Sequence, residues 1–328
     1  MELKWLEDFI SLSNSGNFRL SAEQRFVSQP AFSRRIQSLE NWVGAELIDR
    51  SCQPICMTEA GREFKPVALH IVRTAYQARN EIRAKDSADR QKICFSTLST
   101  LSHSFMPAWL KGLKPYTDIS SVSMRSDYMG IDAYLQALES GEVDYFIGYE
   151  DSSSALKIDT DKFPSLCIGT ERLVPVVSPD ANGNPNWWLP DRPQSPIPYL
   201  QTNTHKDRNY SLLYWSVNSL INKHYPDLTF VPVYEATATT SIRAMVLEDY
   251  GVAWLPLSII DQDLASGDLV RAAKEEDDIE VDIKIFKYFD ASEDKLSKFW
   301  QIVQKHGQKK PSSRPLVAGK FYKEVGRK

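Results

Sequence analysis

Gln29, Pro30, Ser33, Arg34 and Gln37 are the residues of this chain whose types and spacing fit a definite chemistry. Steps of four place Gln29, Ser33 and Gln37 on one side of a helix, with Pro30 and Arg34 flanking them. Amides, a hydroxyl and a guanidinium projecting together are the donors and acceptors that read base edges in the major groove of DNA. Arg35 and Arg50 carry the charge suited to phosphate contacts beside such a face. A surface helix with no partner shows the same residue types, so the surrounding elements have to decide.

Those elements are legible. Ser28 is a helix N-cap, and Gln29 and Pro30 fall in the first turn, where a missing N–H costs nothing. Phe32, Ile36, Leu39 and Val43 recur at steps of four, three and four, the apolar stripe of an amphipathic helix. Residues 17–39 therefore predict a helix, a tight turn and a second helix, and a further helix over 4–13 precedes them. LIDRSCQPICMT, which follows, predicts a short hairpin. Three helices and a wing make a compact DNA reader, here assigned to residues 1–58.

Thr58 caps a long helix that runs to about Lys85, with a small kink expected at Pro66. Phe64, Ala68, Ile71, Ala75, Ala78 and Ile82 recur at steps of 4, 3, 4, 3 and 4 along it, a heptad seam that asks for a partner helix. A second copy of the chain satisfies the seam, and so does packing against the chain's own domain. Residues 59–89 are assigned as this linker helix and a polar hinge.

Beyond the hinge the texture changes to short apolar runs alternating with helical patterns: KICFSTLS, HSFMPAWLKGLKPY, SVSMRSD, IDAYLQALESGEV and DYFIGY. This is a βαβαβ order and predicts α/β architecture with parallel strands covered by helices. RLVPVVS, IPYLQT, FVPVYEA, a helix over 240–249 and GVAWLP predict a second sheet of the same kind, and IEVDIKIFKYFD a return strand. The reading is a two-lobed domain over 90–306, with lobe one at 90–168 plus 266–306 and lobe two at 169–265. Residues 307–328 are Lys/Arg-rich with Pro, Gly and Ser and predict a mobile tail, with contact to DNA phosphate as the alternative.

Ligands of parallel sheets settle beyond the carboxyl ends of strands. The loop after the first strand of lobe one carries Ser99, Thr100, Leu101, Ser102 and His103. In lobe two the corresponding loops carry Thr202, Asn203 and Thr204, then Thr237 and Thr239. Short neutral hydrogen-bonding side chains of this kind hold a small anion or carboxylate, although each Ser or Thr alone also serves as a helix cap. His103, His205, Arg208 and Arg243 are the candidate countercharges.

Composition narrows the class further. The 328 residues suffice for about two domains with real cores. The net charge of −4 excludes indiscriminate coating of nucleic acid, so DNA contact has to come from a local patch. Residues 1–90 hold 13 Lys and Arg against 12 Asp and Glu, leaving 26 against 31 for the rest. No apolar run approaches the ~20 residues of a membrane span, and the N-terminus lacks a signal peptide's apolar stretch, which together predict a cytoplasmic protein without a membrane partner.

Cys52, Cys56, Cys94 and Cys167 are too scattered for a disulfide framework, and Cys52 with Cys56 alone does not complete a tetrahedral metal site. No metal or cofactor is predicted. Oxidation of Cys52 and Cys56, or of Met106, Met124, Met129 and Met245, is kept as a redox alternative to a bound effector. There is no GxSxG, P-loop, GxGxxG or metal-spaced His/Glu pair, and the chain is read as no enzyme, neither of the two lobes supplying a catalyst. An architectural DNA binder is the remaining alternative class.

SQPAFSRRIQSLE and GAELIDRS closely match the recognition helix and wing of LysR-type transcriptional regulators, and the chain resembles that family throughout its first sixty residues. GVAWLP and ASGDLV are similar to recurrent sequences of its effector-binding region. Phe18, Arg19 and Leu20 depart from the small residue that many members carry there. The resemblance implies a winged helix-turn-helix on an interrupted-palindromic promoter, a linker helix that pairs with its copy, and a two-lobed domain like a small periplasmic binding protein with a small-molecule effector in its cleft. It implies a homodimer and a homotetramer built as a dimer of dimers. Within the family the DNA-binding segment is most similar to the hypochlorite-responsive branch.

Overall fold

The computed structural model describes residues 1–52, 54–86, 93–119, 121–126, 128, 130–150, 158–202, 212–289 and 295–307. The expected hinge and tail fall outside these except for Asp86 and Gly307, as do Met129, Asn203, Thr204, His205 and Arg208. Two compact units form, Met1–Ser96 with Ile119–Phe146 and Thr97–Asp118 with Ile147–Lys328.

The first unit begins with α1 (Leu3–Ser15), α2 (Phe18–Gln24) and α3 (Gln29–Val43), then the two short antiparallel strands of the wing, β1 (Ile48–Asp49) and β2 (Cys56–Met57). α1 stops at Gly16, whose φ of 59° lets its N–H bond back to the Leu12 carbonyl, and the Asn17 side chain caps α2 by accepting from the Leu20 N–H at 3.1 Å. The α2–α3 turn is made without glycine, so Phe26 takes a φ of 55° and stands 78% exposed. Leu6, Phe9, Ile10, Phe32, Ile36, Leu39, Leu47 and Ile48 are buried together as its core, with the Phe18 ring edge-on to Phe32. The apolar stripe read from the sequence is thus the inner face of α3.

α4 (Glu59–Asp86) starts where the sequence places it, Thr58 Oγ1 accepting from the Gly61 N–H at 3.0 Å, and contains Pro66 within its length. A Cβ on Gly61 would lie 2.0 Å from the Leu47 carbonyl oxygen, so the absent side chain is what seats this helix against the wing. The heptad seam divides. Ala68 is 0% exposed in the core with Leu6 and Phe9, and Phe64 and Ile71 pack partly against the same core. Ala68 is therefore corrected from a dimer contact to a core residue, because the first half of the helix spends its apolar stripe on its own domain. Ala75 is half-buried, and Ala78 and Ile82 are exposed.

β3 (Ile93–Thr97) continues the chain, followed by α5 (Ser99–Ser104), α6 (Met106–Leu113), β4 (Val122–Arg125), α7 (Ile131–Glu139) and β5 (Tyr145–Glu150). β3 and β4 are parallel, Ile93 opposite Val122, as the βαβ order requires. β5 enters beside β3, where the Asp144 N–H donates to the Cys94 carbonyl at 2.8 Å.

The second unit is organised on one long strand, β6 (Ser165–Val177). After it come β7 (Ile197–Thr202), α8 (Leu212–His224), β8 (Phe230–Ala236), α9 (Thr239–Leu247), β9 (Ala253–Pro256), α10 (Leu257–Ser266), β10 (Val270–Arg271), β11 (Ile279–Phe286) and α11 (Lys295–His306). β7 and β8 are parallel, and Thr202 lies opposite Ala236. β9, β10 and β11 all pair antiparallel with β6. GVAWLP, expected in the second parallel sheet, instead runs against β6, with only a parallel bridge from Val252 to Tyr199. Leu173, Tyr199, Val252 and Trp254 centre one buried cluster, and Val174, Leu200, Val246 and Leu255 another. Among the described residues no helix is long and apolar enough to cross a membrane.

Candidate DNA-reading face and effector site

With its apolar stripe turned inward, α3 turns Gln29, Pro30, Arg34 and Gln37 out to solvent, and Ser33 between them is half-buried. Among the described residues the Arg34 side chain donates from Nε to the Pro30 carbonyl at 3.3 Å, and the residue is exposed. A guanidinium presented this way suits the O6/N7 edge of guanine.

The two arginines assigned to phosphate are held differently. Arg35 Nη1 lies 3.3 Å from Oδ2 of Asp8, a carboxylate buried at 0% in α1, and Arg25 Nε reaches its other oxygen at 2.9 Å. Arg25 also pairs with Glu7, which accepts a hydrogen bond from Tyr76 of α4. Arg50 Nη2 pairs at 2.8 Å with Oε2 of Glu40, whose Oε1 accepts the Leu47 and Ile48 N–H groups at 3.0 and 3.2 Å, and its guanidinium sits 5.9 Å above the Phe18 ring. Asp8 thus ties three helices together and Glu40 ties α3 to the wing. Neither carboxylate carries a motif that sequence reasoning recognises.

In the second unit the parallel strands β7 and β8 end side by side at Thr202 and Ala236, the carboxyl edge at which ligands of parallel sheets settle. Thr100 Oγ1 donates to Thr239 Oγ1 at 3.1 Å across 139 residues of sequence, with the two residues 4% and 7% exposed. The first turns of α5 and α9 are thereby joined. Thr202 is half-buried at the end of β7, Thr237 is exposed, Ser99 and His103 are exposed, and Ser102 spends its hydroxyl on the Ser99 carbonyl at 2.6 Å. Leu101 is corrected: at 0% exposed it packs into the core, because in α5 it faces inward. Arg243 is held by Asp263 through Nε at 2.6 Å and through Nη2, which takes it out of the set of free countercharges.

Two buried polar groups lie close to β6 in the same unit. The Tyr149 hydroxyl, on β5, has no hydrogen-bond partner among the described residues. Glu171 on β6 accepts the Arg172 N–H at 2.9 Å and the Ser258 N–H at 3.4 Å. Burial raises the Glu171 pKa above its ordinary value in spite of these bonds, and burial with the Glu171 charge does the same to Tyr149. For Glu171 the raised folded value means that its carboxylate costs stability once ionised, so stability is greatest below the ordinary value and is lost as pH rises through the folded one. Glu171→Gln, whose amide oxygen keeps both N–H partners, should therefore melt higher than the native chain at about pH 8 and equally at about pH 4. A variant that melts lower at both pH values would show that the charge is stabilising.

A winged helix-turn-helix with an exposed polar recognition face, followed by an α/β regulatory domain, defines a DNA-binding regulator. The family pattern described as "Bacterial regulatory helix-turn-helix protein, lysR family" matches residues 3–62, and that described as "LysR substrate binding domain" matches residues 86–308. The chain belongs to the LysR family of transcriptional regulators; it binds DNA, carries an effector-binding domain and is not an enzyme. It is 26% identical over 288 residues to the HTH-type transcriptional regulator YjiE of Escherichia coli (strain K12), covering 88% of each chain. The structure of VV2_1132, a LysR family transcriptional regulator, is 32% identical, covers 92% of this chain and 98% of its own, and superposes with a TM-score of 0.52. Full-length HypT from Salmonella typhimurium, a hypochlorite-specific LysR-type regulator, is 25% identical, covering 94% and 99%, with a TM-score of 0.53.

Proposed function

We propose that this regulator answers to a small anion or carboxylate held by Ser99, Thr100, Ser102, His103, Thr202, Thr237 and Thr239. The observation that carries this reading is the Thr100–Thr239 contact. A hydroxyl that accepts one hydrogen bond still has its own proton to donate, so Thr239, at the start of the nine-residue α9, offers a donor beside that helix's positive end. The pair is neutral, and an anion bound there is held by oriented dipoles instead of a countercharge. The lobes proposed to enclose it are 90–168 with 266–306 and 169–265. The reader is proposed as 1–58, and the assembly as a homodimer that pairs into a tetramer on an interrupted palindrome. A promoter target places its work in the cytoplasm.

Thr100→Val combined with Thr202→Val tests the assignment. Two hydroxyls lost at about 1 to 3 kcal/mol each should weaken effector affinity by about thirty-fold to about ten-thousand-fold. Melting should drop by a few degrees because Thr239 loses its partner, while DNA binding without effector stays near the native level. Thermal shift against a panel of carboxylates and inorganic anions supplies the effector, since a ligand that binds only the folded state raises the melting temperature. A double variant that keeps full inducibility in a reporter strain would remove the cleft assignment.

The likeness to HypT supports a second reading, response to hypochlorite through sulfur. Met106 is wholly buried and Met124 and Met245 half-buried. The Cys52 thiol is pushed up to about 11 by its hydrogen bonds with Cys56 and Asp49, which keeps it protonated and slow as a nucleophile. The threonine site is the better-supported reading.

A further inference from the structure

We propose that Asp49, Cys52 and Cys56 form a site on the wing for a thiophilic divalent cation of the Zn2+ class. The sequence offered only two thiols spaced by four. The structure supplies the third donor, because antiparallel pairing of β1 with β2 sets Asp49 opposite Cys56, and directly opposed residues share a face. The turn brings Cys52 back to the same face, its Sγ 3.4 Å from Asp49 Oδ2. One donor atom from each of the three residues lies within 4.8 Å of the others.

The carboxylate is held for the purpose. Ser51 donates to Asp49 Oδ1 from both its N–H, at 2.9 Å, and its hydroxyl, at 2.6 Å, leaving Oδ2 turned towards the thiol. Outer partners that fix one oxygen and present the other are the usual support of a ligating carboxylate. In a tetrahedral site with metal–sulfur bonds of about 2.3 Å and metal–oxygen bonds of about 2.0 Å, ligand atoms lie about 3.5 to 3.8 Å apart. Closing from 4.8 Å asks for side-chain rotation of about 1 Å and no change of strand register. Two sulfurs and one oxygen select a borderline or soft cation over Mg2+ or Ca2+. Cys56 is exposed and the other two are half-buried, so the fourth position opens to water. A disulfide between the thiols would take from Asp49 Oδ2 its thiol donor, whereas a cation keeps that oxygen bound.

The test uses the full-length chain, reduced with a non-thiol reductant and titrated anaerobically with Co2+ as the spectroscopic probe, then with Zn2+ in competition. One tetrahedral Co2+ per chain is expected, with a thiolate-to-cobalt charge-transfer band that Zn2+ abolishes. Cys52→Ser and Asp49→Asn should each weaken binding by at least about ten-fold, and Cys94→Ser with Cys167→Ser should leave it as in the native chain. Three results would each overturn the proposal: no charge-transfer band, native affinity in Cys52→Ser, or loss of the band in the Cys94→Ser, Cys167→Ser chain. So would mild oxidation that removes two hydrogens from the Cys52–Cys56 peptide in a chain that takes up no cobalt.

Discussion

Asp8→Ala should cost the winged helix about 3 kcal/mol and carry promoter binding down with it. Asp8 is fully buried and is the shared partner of Arg25 and Arg35, so its removal strands two guanidiniums that are each about a quarter exposed. Breaking a buried pair by deleting one partner costs about 3 to 5 kcal/mol, and the lower figure applies because both arginines keep some water and Arg25 keeps Glu7. For a unit of this size the loss corresponds to a fall in melting temperature of about 10 °C or more. Calorimetry of native and variant chains at equal concentration reads it, and an unchanged transition would show that the carboxylate is dispensable. Arg35→Ala should fall between the native chain and Asp8→Ala, since Asp8 then keeps Arg25. A purely phosphate-binding Arg35 would instead leave the melting temperature alone and flatten only the salt dependence of DNA binding.

Ile82→Glu should dissociate the assembly while leaving each chain folded. Ile82 is 62% exposed near the far end of α4, and Val67 nearer its start is also half exposed. Val67, Ala78 and Ile82 follow one another at steps of eleven and four, exposed apolar positions along one side of the helix that its own domain leaves uncovered. In a symmetric pair each substitution acts twice. Losing two buried isoleucines at about 1.5 to 3 kcal/mol each raises the dissociation constant by about two to four orders of magnitude, before the two facing charges are counted. Sedimentation reads the result, and a variant that sediments as the native oligomer would move the dimer contact elsewhere. Ala68→Glu is the internal contrast: its carboxylate would enter the core beside Phe9 and unfold the first unit.

The parts of this architecture that were legible in the sequence are those written in local periods and caps. The 4-3-4 spacing of Phe32, Ile36, Leu39 and Val43 announced which side of α3 is inner, and Thr58 announced where α4 begins. What was illegible depends on residues far apart. Arg34 and Arg35 are neighbours separated by about 100° around the helix, and only the position of Asp8, 27 residues before Arg35, decides that one is presented and the other clamped. The heptad of α4 is a true apolar period, but a period does not say which neighbour it meets, and its first half meets α1 of its own domain. RLVPVVS reads as a short strand, yet β6 begins at Ser165, because its earlier residues alternate too weakly to signal a strand until β11 pairs with them. A buried hydroxyl without a hydrogen-bond partner among the described residues, such as Tyr149's, leaves no trace in a sequence at all.

Selection of DNA from a random-sequence pool by the native chain and by Arg34→Ala, followed by sequencing at fixed salt, tests most directly whether the outer face of α3 reads bases. The native chain should enrich an interrupted palindrome with guanine favoured at a fixed position in each half-site. Arg34→Ala should lose preference at that position alone, with about five- to 150-fold weaker binding per half-site from the roughly 1 to 3 kcal/mol of a bidentate contact, and with the melting temperature unchanged. An Arg34→Ala chain that enriches the same palindrome with the same guanine preference would contradict the account.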